Sequence, residues 1–263
     1  MKVNLRKLGL GLVAILVTTS LAFAYRGSSR ARYDAARRDF EEDCSRWRSA
    51  GGSGSVCDPG ARVPSLIPRL RDGQARVASA SRALASGDHV AAERELAAAF
   101  DTVAELDRIG SEVPTVMAAS LLRQALNVIE TEVPPTPSGQ ALAARVLARR
   151  HLYSVAHPLR GRLLFATRNV LDDFDRPLLR ALAVQTIDQE ERMTAAMERA
   201  ITLGDTDGCI RAAKSRSKLA ARYTEMTPDV ICPELVKAAQ TSKRLDRLRR
   251  AARSGSRMQT ALR

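Results

Sequence analysis

The chain has 263 residues, 45% of them hydrophobic, enough apolar material for one or two packed domains and too much for a wholly disordered protein. Aromatics supply only 4%, with alanine and leucine dominating the remainder, a composition that suits helix-on-helix packing and argues against a β-sandwich core. The net charge of +13 is mostly arginine and is unevenly placed: from Arg82 to Glu132 four Arg stand against nine Asp or Glu, whereas from Arg211 to Arg263 fourteen Lys or Arg stand against four acids.

Residues 1–24 open with a basic stretch, Met1 to Lys7, followed by an uncharged run from Leu8 to Tyr25 and a small-x-small site at Ala22-Phe23-Ala24. That order predicts a secretory signal peptide. The competing reading is an uncleaved N-terminal membrane anchor, because the uncharged run just reaches spanning length and Arg26, Arg30 and Arg32 follow it at once. Both readings place the remainder outside the cytoplasm, in the periplasm or cell envelope.

Four cysteines are present, Cys44, Cys57, Cys209 and Cys232, with no CxxC and no histidine at zinc-site spacing. An even count in an exported chain predicts two disulfides. Three connectivities are open; proximity favours Cys44–Cys57, closing a Gly/Ser-rich loop, and Cys209–Cys232, tying consecutive helices. Trp47, the sole tryptophan, lies inside the first loop and reads as a buried anchor for the N-terminal helix.

An N-terminal helical region is expected over 25–133. Its strongest periodicity runs from Asp88 to Ile109, where Ala92, Leu96, Ala99, Phe100, Val103 and Leu106 share one face. Asp88 is placed as an N-cap, with Gly87 ending the preceding helix. Ala118, Leu122, Ala125, Leu126 and Ile129 repeat the pattern between Pro114 and Pro134. Residues 134–139 (Pro-Pro-Thr-Pro-Ser-Gly) read as a linker that divides the chain into two helical halves.

The second half, 140–252, is expected to hold a helix from Gln140 to Asp173 broken near Pro158, then a long helix from Pro177 to about Leu203. The apolar face of that long helix is interrupted by Asp188 to Arg192, a stretch expected to project into solvent. Further helices are expected over Gly208–Met226 and Cys232–Ala252, with a polar, basic tail at 253–263. The fold class is therefore all-α, antiparallel helical hairpins or a bundle behind an apolar leader.

One internal echo stands out: Arg82-Ala83-Leu84-Ala85-Ser86-Gly87-Asp88 is matched by Arg199-Ala200-Ile201-Thr202-Leu203-Gly204-Asp205. In each, Gly-Asp fits an elbow between antiparallel helices. The first elbow, with Ala92, Leu96 and Ala99 beyond it, resembles the inter-helix turn of a tetratricopeptide repeat. No copy follows at that family's spacing and its first-helix aromatics are absent, so an ordinary helical hairpin is the expectation.

No catalytic motif emerges. The glycines Gly51, Gly52 and Gly54 lack the lysine of a phosphate loop, and no Gly-x-Ser-x-Gly elbow occurs. His151 and His157 do not stack on one helical face, and Arg145, Arg149, Arg150, Arg160 and Arg162 surround them in sequence, poor company for a metal ion. The acidic pairs Glu41-Glu42-Asp43, Asp172-Asp173 and Glu190-Glu191 are adjacent, so their members point to different sides of a helix. Neither a cofactor nor a small-molecule substrate is called for.

Arg211, Lys214, Lys218 and Arg222 align on one helical face, and Lys243, Arg244, Arg247, Arg250 and Arg253 form a second row. Such rows attract anionic lipid or cell-wall polymer. Nucleic acid is disfavoured, since export removes the chain from most of it and Tyr223 alone offers a stacking ring nearby. The leading expectation is a non-enzymatic envelope scaffold or adaptor for protein partners; the alternative is a binder of anionic envelope polymers or lipids through the basic C-terminal face.

Overall fold

The computed structural model describes residues 29–58, 65–149, 156–176, 179–216 and 227–254, and every regular element within them is helical. The apolar leader and the residues of the basic tail after Ser254 lie outside the described residues. Helix α1 covers residues 29–49 and is followed by a single 3-10 turn, Gly54–Val56. Then come α2 (Leu66–Ala85), α3 (His89–Ile109), α4 (Glu112–Thr131), α5 (Pro137–Ala148), α6 (Ala156–Asp173), α7 (Arg180–Leu203), α8 (Thr206–Lys214) and α9 (Pro228–Ser254). The all-α expectation holds, and no described helix is long and apolar enough to cross a membrane.

The two Gly-Asp elbows are built alike. Gly87 and Gly204 both take φ 78°, a left-handed conformation that disfavours any side chain. Each glycine N–H donates to the carbonyl three residues back (Leu84, 3.0 Å; Ile201, 3.0 Å), and each aspartate N–H reaches five back (Ala83, 2.9 Å; Ala200, 2.8 Å). Asp88 and Asp205 then cap α3 and α8, their carboxylates accepting from Ala91 N–H at 2.9 Å and Gly208 N–H at 2.8 Å. Each elbow thus pairs its own turn donors with the helix it ends and caps the helix it begins.

Helix boundaries differ from expectation chiefly at prolines. The break expected near Pro158 is present, α5 ending at Ala148 and α6 starting at Ala156, but Pro158 itself lies inside the first turn of α6, where its missing N–H has no intrahelical partner to lose. Pro137 likewise begins α5 at its first position, with Thr136 capping Gly139 N–H at 3.2 Å. Residues 134–139 are therefore a turn running into α5. Helix α9 starts earlier than expected, at Pro228, and continues through Pro233.

Two large cores share α9. The first packs Leu96, Phe100 and Leu106 of α3 with Leu121, Leu122 and Leu126 of α4, Leu142 and Leu147 of α5, and Leu245 and Leu248 of α9. The second gathers Met193, Met197 and Ile201 of α7 around Cys209, Ile231, Cys232, Leu235 and Leu159. Each fully buried leucine contributes about 2 kcal/mol of transfer free energy. Apolar packing therefore continues across residues 134–139.

Part of the charge asymmetry is met by ion pairs between neighbouring helices. Basic α9 lies on acidic α4, where Arg244 Nε donates to Glu130 Oε1 at 2.8 Å, and α5 lies on α3 through Arg145–Glu93 at 2.7 Å and Arg149–Asp101 at 2.6 Å.

Both disulfides are present as the nearest-neighbour pairs: Cys44–Cys57 with Cα atoms 5.8 Å apart and Cys209–Cys232 with 5.7 Å. The second fastens α8 to the first turns of α9, beside the ladder bond that Pro233 removes. Replacing Cys209 and Cys232 together with serine is expected to lower unfolding free energy by about 3 kcal/mol under non-reducing conditions, read by urea denaturation. An unchanged midpoint would show that the loop is held without the bond.

Candidate functional site

Helix α1 is the element that shapes the most distinctive surface. Its apolar stripe, Tyr33, Ala36, Phe40, Cys44 and Trp47, follows helical spacing and lies against α6 and α7. At one end the Tyr33 hydroxyl donates to Leu171 O at 2.6 Å, with the Arg180 guanidinium 5.1 Å above its ring. At the other end the disulfide and Trp47 fix the helix to the 3-10 turn. Arg168, buried in α6, secures that turn by donating to Ser55 O and Val56 O, each at 3.1 Å.

Trp47 is 2% exposed and stacks on His157, ring centroids 4.1 Å apart and planes 15° from parallel. Its indole N–H donates to Ser53 O at 2.9 Å, while Ser53 N–H reaches Arg108 O of α3 at 2.6 Å. The ring fits because three neighbours are glycine, and a Cβ on the first of them, Gly52, would fall 2.3 Å from the indole. A Cβ on Gly110 would fall 2.2 Å from the indole, and one on Gly161 would fall 1.9 Å from the Gly110 carbonyl oxygen. Burial pushes the His157 imidazole below its ordinary value, opposed by a bond to the Asp107 backbone and assisted by Arg160, which favours the neutral ring. His157 is thus a packing residue of the Trp47 anchor.

Asp107, in the last turn of α3, is fully buried, and neither carboxylate oxygen has a hydrogen-bond partner among the described residues. Burial pushes its carboxyl up to about 7. Its proton is therefore exchangeable near neutrality.

Between its two anchored ends, α1 leaves a groove of about 390 Å³ against α6 and α7. Three helix faces line it: Arg32, Ala35, Ala36, Asp39, Phe40 and Asp43 from α1; Arg160, Leu163, Leu164 and Thr167 from α6; Val184, Ile187, Asp188 and Glu191 from α7. The floor is apolar and the rims are charged. Arg32 pairs with Asp188 at 3.0 Å, and Arg160 with Asp43 at 2.9 Å. Asp39 and Glu191 have no ion-pair partner among the described residues. Burial raises the Glu191 carboxyl, and Asp188, Asp43 and Asp39 raise it further.

The residue before Glu191 turns the other way. Glu190 is 2% exposed, which corrects the expectation that Asp188 to Arg192 projects wholly into solvent. It faces a buried ionic node. Arg162 Nε lies 3.1 Å from Glu112 Oε1 with side chains only 8% and 6% exposed, an ion-pair contact without directed hydrogen-bond geometry, and Arg162 Nη1 donates to Met197 Sδ at 3.1 Å. Arg216 borders the same node: burial pushes its guanidinium down, Arg162 pushes it further, and Glu190 and Glu112 oppose them. One turn along α4 and α7, the buried hydroxyls of Thr115 and Thr194 have no hydrogen-bond partner among the described residues. A buried ion pair thus interrupts the apolar packing here.

The basic rows are dispersed. Lys218 and Arg222 lie outside the described residues. Arg211 pairs with Asp205 at 3.7 Å and Lys214 with Asp229 at 2.9 Å. Lys243 donates to Thr202 O at 2.9 Å, and Arg244 is committed to Glu130. Arg247 and Arg250 stay exposed on α9.

Sequence reading missed the groove because its carboxylates come in pairs three or four apart on two distant helices, Asp39 with Asp43 and Asp188 with Glu191. The heptad-like stripe from Tyr33 to Trp47 was the available signal that α1 packs lengthwise, which is what builds the third wall. Among the described residues no group of histidine, cysteine and carboxylate side chains is placed to hold a metal ion. No family model, curated protein or solved structure matches this chain.

Proposed function

We propose that the protein is an exported or inner-membrane-anchored envelope scaffold, a disulfide-braced helical frame that presents an open groove to protein partners. The observation that supports this reading is the groove itself: three helix faces meet around an apolar floor, held open by anchors at both ends of α1. An accessible apolar floor between charged rims is the form taken by helix-receiving surfaces. Two cysteine pairs within bonding distance fit an oxidising compartment, and the apolar leader supplies the route to it.

The test is a photo-crosslinking residue placed at Asp39, in the groove, and separately at exposed Val90, in the full-length protein expressed in its own cells. Discrete protein adducts at Asp39 and none at Val90 are the expected result. Equal labelling at both positions, no adduct at either, or recovery of the protein in the cytosol with thiols reduced would end the proposal. The second reading, an anionic-polymer binder, draws on exposed Arg247 and Arg250. It requires that reversing those two charges release the protein from anionic vesicles or cell-wall material at moderate salt.

A further inference from the structure

Resting on that reading, we propose that the groove between α1, α6 and α7 takes a cationic amphipathic helix from a partner protein. The charge balance of the lining points this way. Four carboxylates, Asp39, Asp43, Asp188 and Glu191, face two guanidiniums, Arg32 and Arg160, leaving the lining at −2 within a chain of net charge +13. Both arginines are already paired, so the uncompensated charge resides on Asp39 and Glu191, one on each wall. An approaching lysine or arginine row meets attraction here and repulsion over much of the remaining surface.

The spacing points to a helix. On α1 the lining residues run from Arg32 to Asp43, about three turns or roughly 16 Å. The α6 and α7 faces each repeat at three to four residues over about two turns, so rims and floor share one period. A docked helix with apolar residues on one face fills the floor, and cations flanking that face reach Asp39 on one side and Glu191 on the other. Burial first and then the crowding of like charge raise the Glu191 carboxyl, and such a cation relieves the second.

The probe is a synthetic eighteen-residue peptide of leucine, alanine and lysine, with leucine on one face and lysine rows flanking it, titrated into the full-length protein by fluorescence anisotropy. Two control peptides keep the leucine face with glutamate rows, or keep the lysine rows with serine in place of leucine. The lysine–leucine peptide is expected to bind with one-to-one stoichiometry and both controls to bind at least about tenfold more weakly. Asp39→Asn with Glu191→Gln, two exposed and near-isosteric changes that leave the melting profile intact, is expected to weaken binding by about tenfold and flatten its salt dependence. Unchanged affinity in that double variant, or equal binding of the glutamate peptide, overturns the proposal. If the peptide fails while crosslinks at Asp39 still yield protein adducts, the scaffold reading stands and the cationic-helix assignment falls.

Discussion

Asp107→Asn is expected to stabilise the protein by about 4 kcal/mol at pH 8 and by almost nothing at pH 3. The carboxyl is fully buried without a hydrogen-bond partner among the described residues, and its folded-state value is pushed up to about 7 from an ordinary 3.8. Between those values the folded state holds a proton that the unfolded state releases. Stability attributable to Asp107 is thus complete below about pH 4, declines as pH rises and is lost above about pH 7, at about 1.4 kcal/mol per unit. The amide cannot ionise, so the variant keeps the low-pH packing at every pH. His157 acts in the opposite sense: its lowered imidazole makes the fold less stable as pH falls through the ordinary histidine range. Comparing the variant with the parent cancels the His157 contribution. Urea unfolding at intervals from pH 3 to pH 8 gives the difference curve, and a flat curve would mean that Asp107 is ionised and compensated in the folded chain.

Arg162→Met is expected to cost about 3–5 kcal/mol, the largest loss of any single substitution in the ionic node. It removes the cation 3.1 Å from Glu112 and leaves that carboxylate buried near Glu190, with Arg216 as the remaining guanidinium. Methionine is close enough in length to fill much of the space, so the loss measures charge more than cavity. Adding Glu112→Gln should recover more than half of the loss, because the orphaned charge disappears with it. Additive losses in the double variant would show that the two residues are not energetically coupled.

Much of the frame is legible in the sequence because it is local. The α3 face from Ala92 to Leu106, the capping by Asp88 and Asp205 and the left-handed glycines before them are each decided by residues a few positions apart. The nearest-neighbour disulfides follow from short separations of 13 and 23 residues. Proline marks a boundary without telling which side of it is helical: Pro158 and Pro228 each lie in the first turn of a helix, and the break expected near Pro158 falls just before that turn. The groove and the ionic node were hidden for a different reason. Glu112, Arg162 and Glu190 come from three helices, and nothing in their local sequence distinguishes a buried charge from a solvated one. The adjacency rule did hold at one place, since Glu190 enters the node and Glu191 the groove, on different sides of α7.

The consecutive order of the cysteine pairs bears on how the molecule matures. A polypeptide delivered from its N-terminus offers Cys57 to Cys44 long before Cys209 appears, and Cys232 is the first thiol to follow Cys209. Each bond can close with the only correct mate yet exposed, so a simple oxidant that joins thiols in order of arrival suffices and no reshuffling catalyst is required.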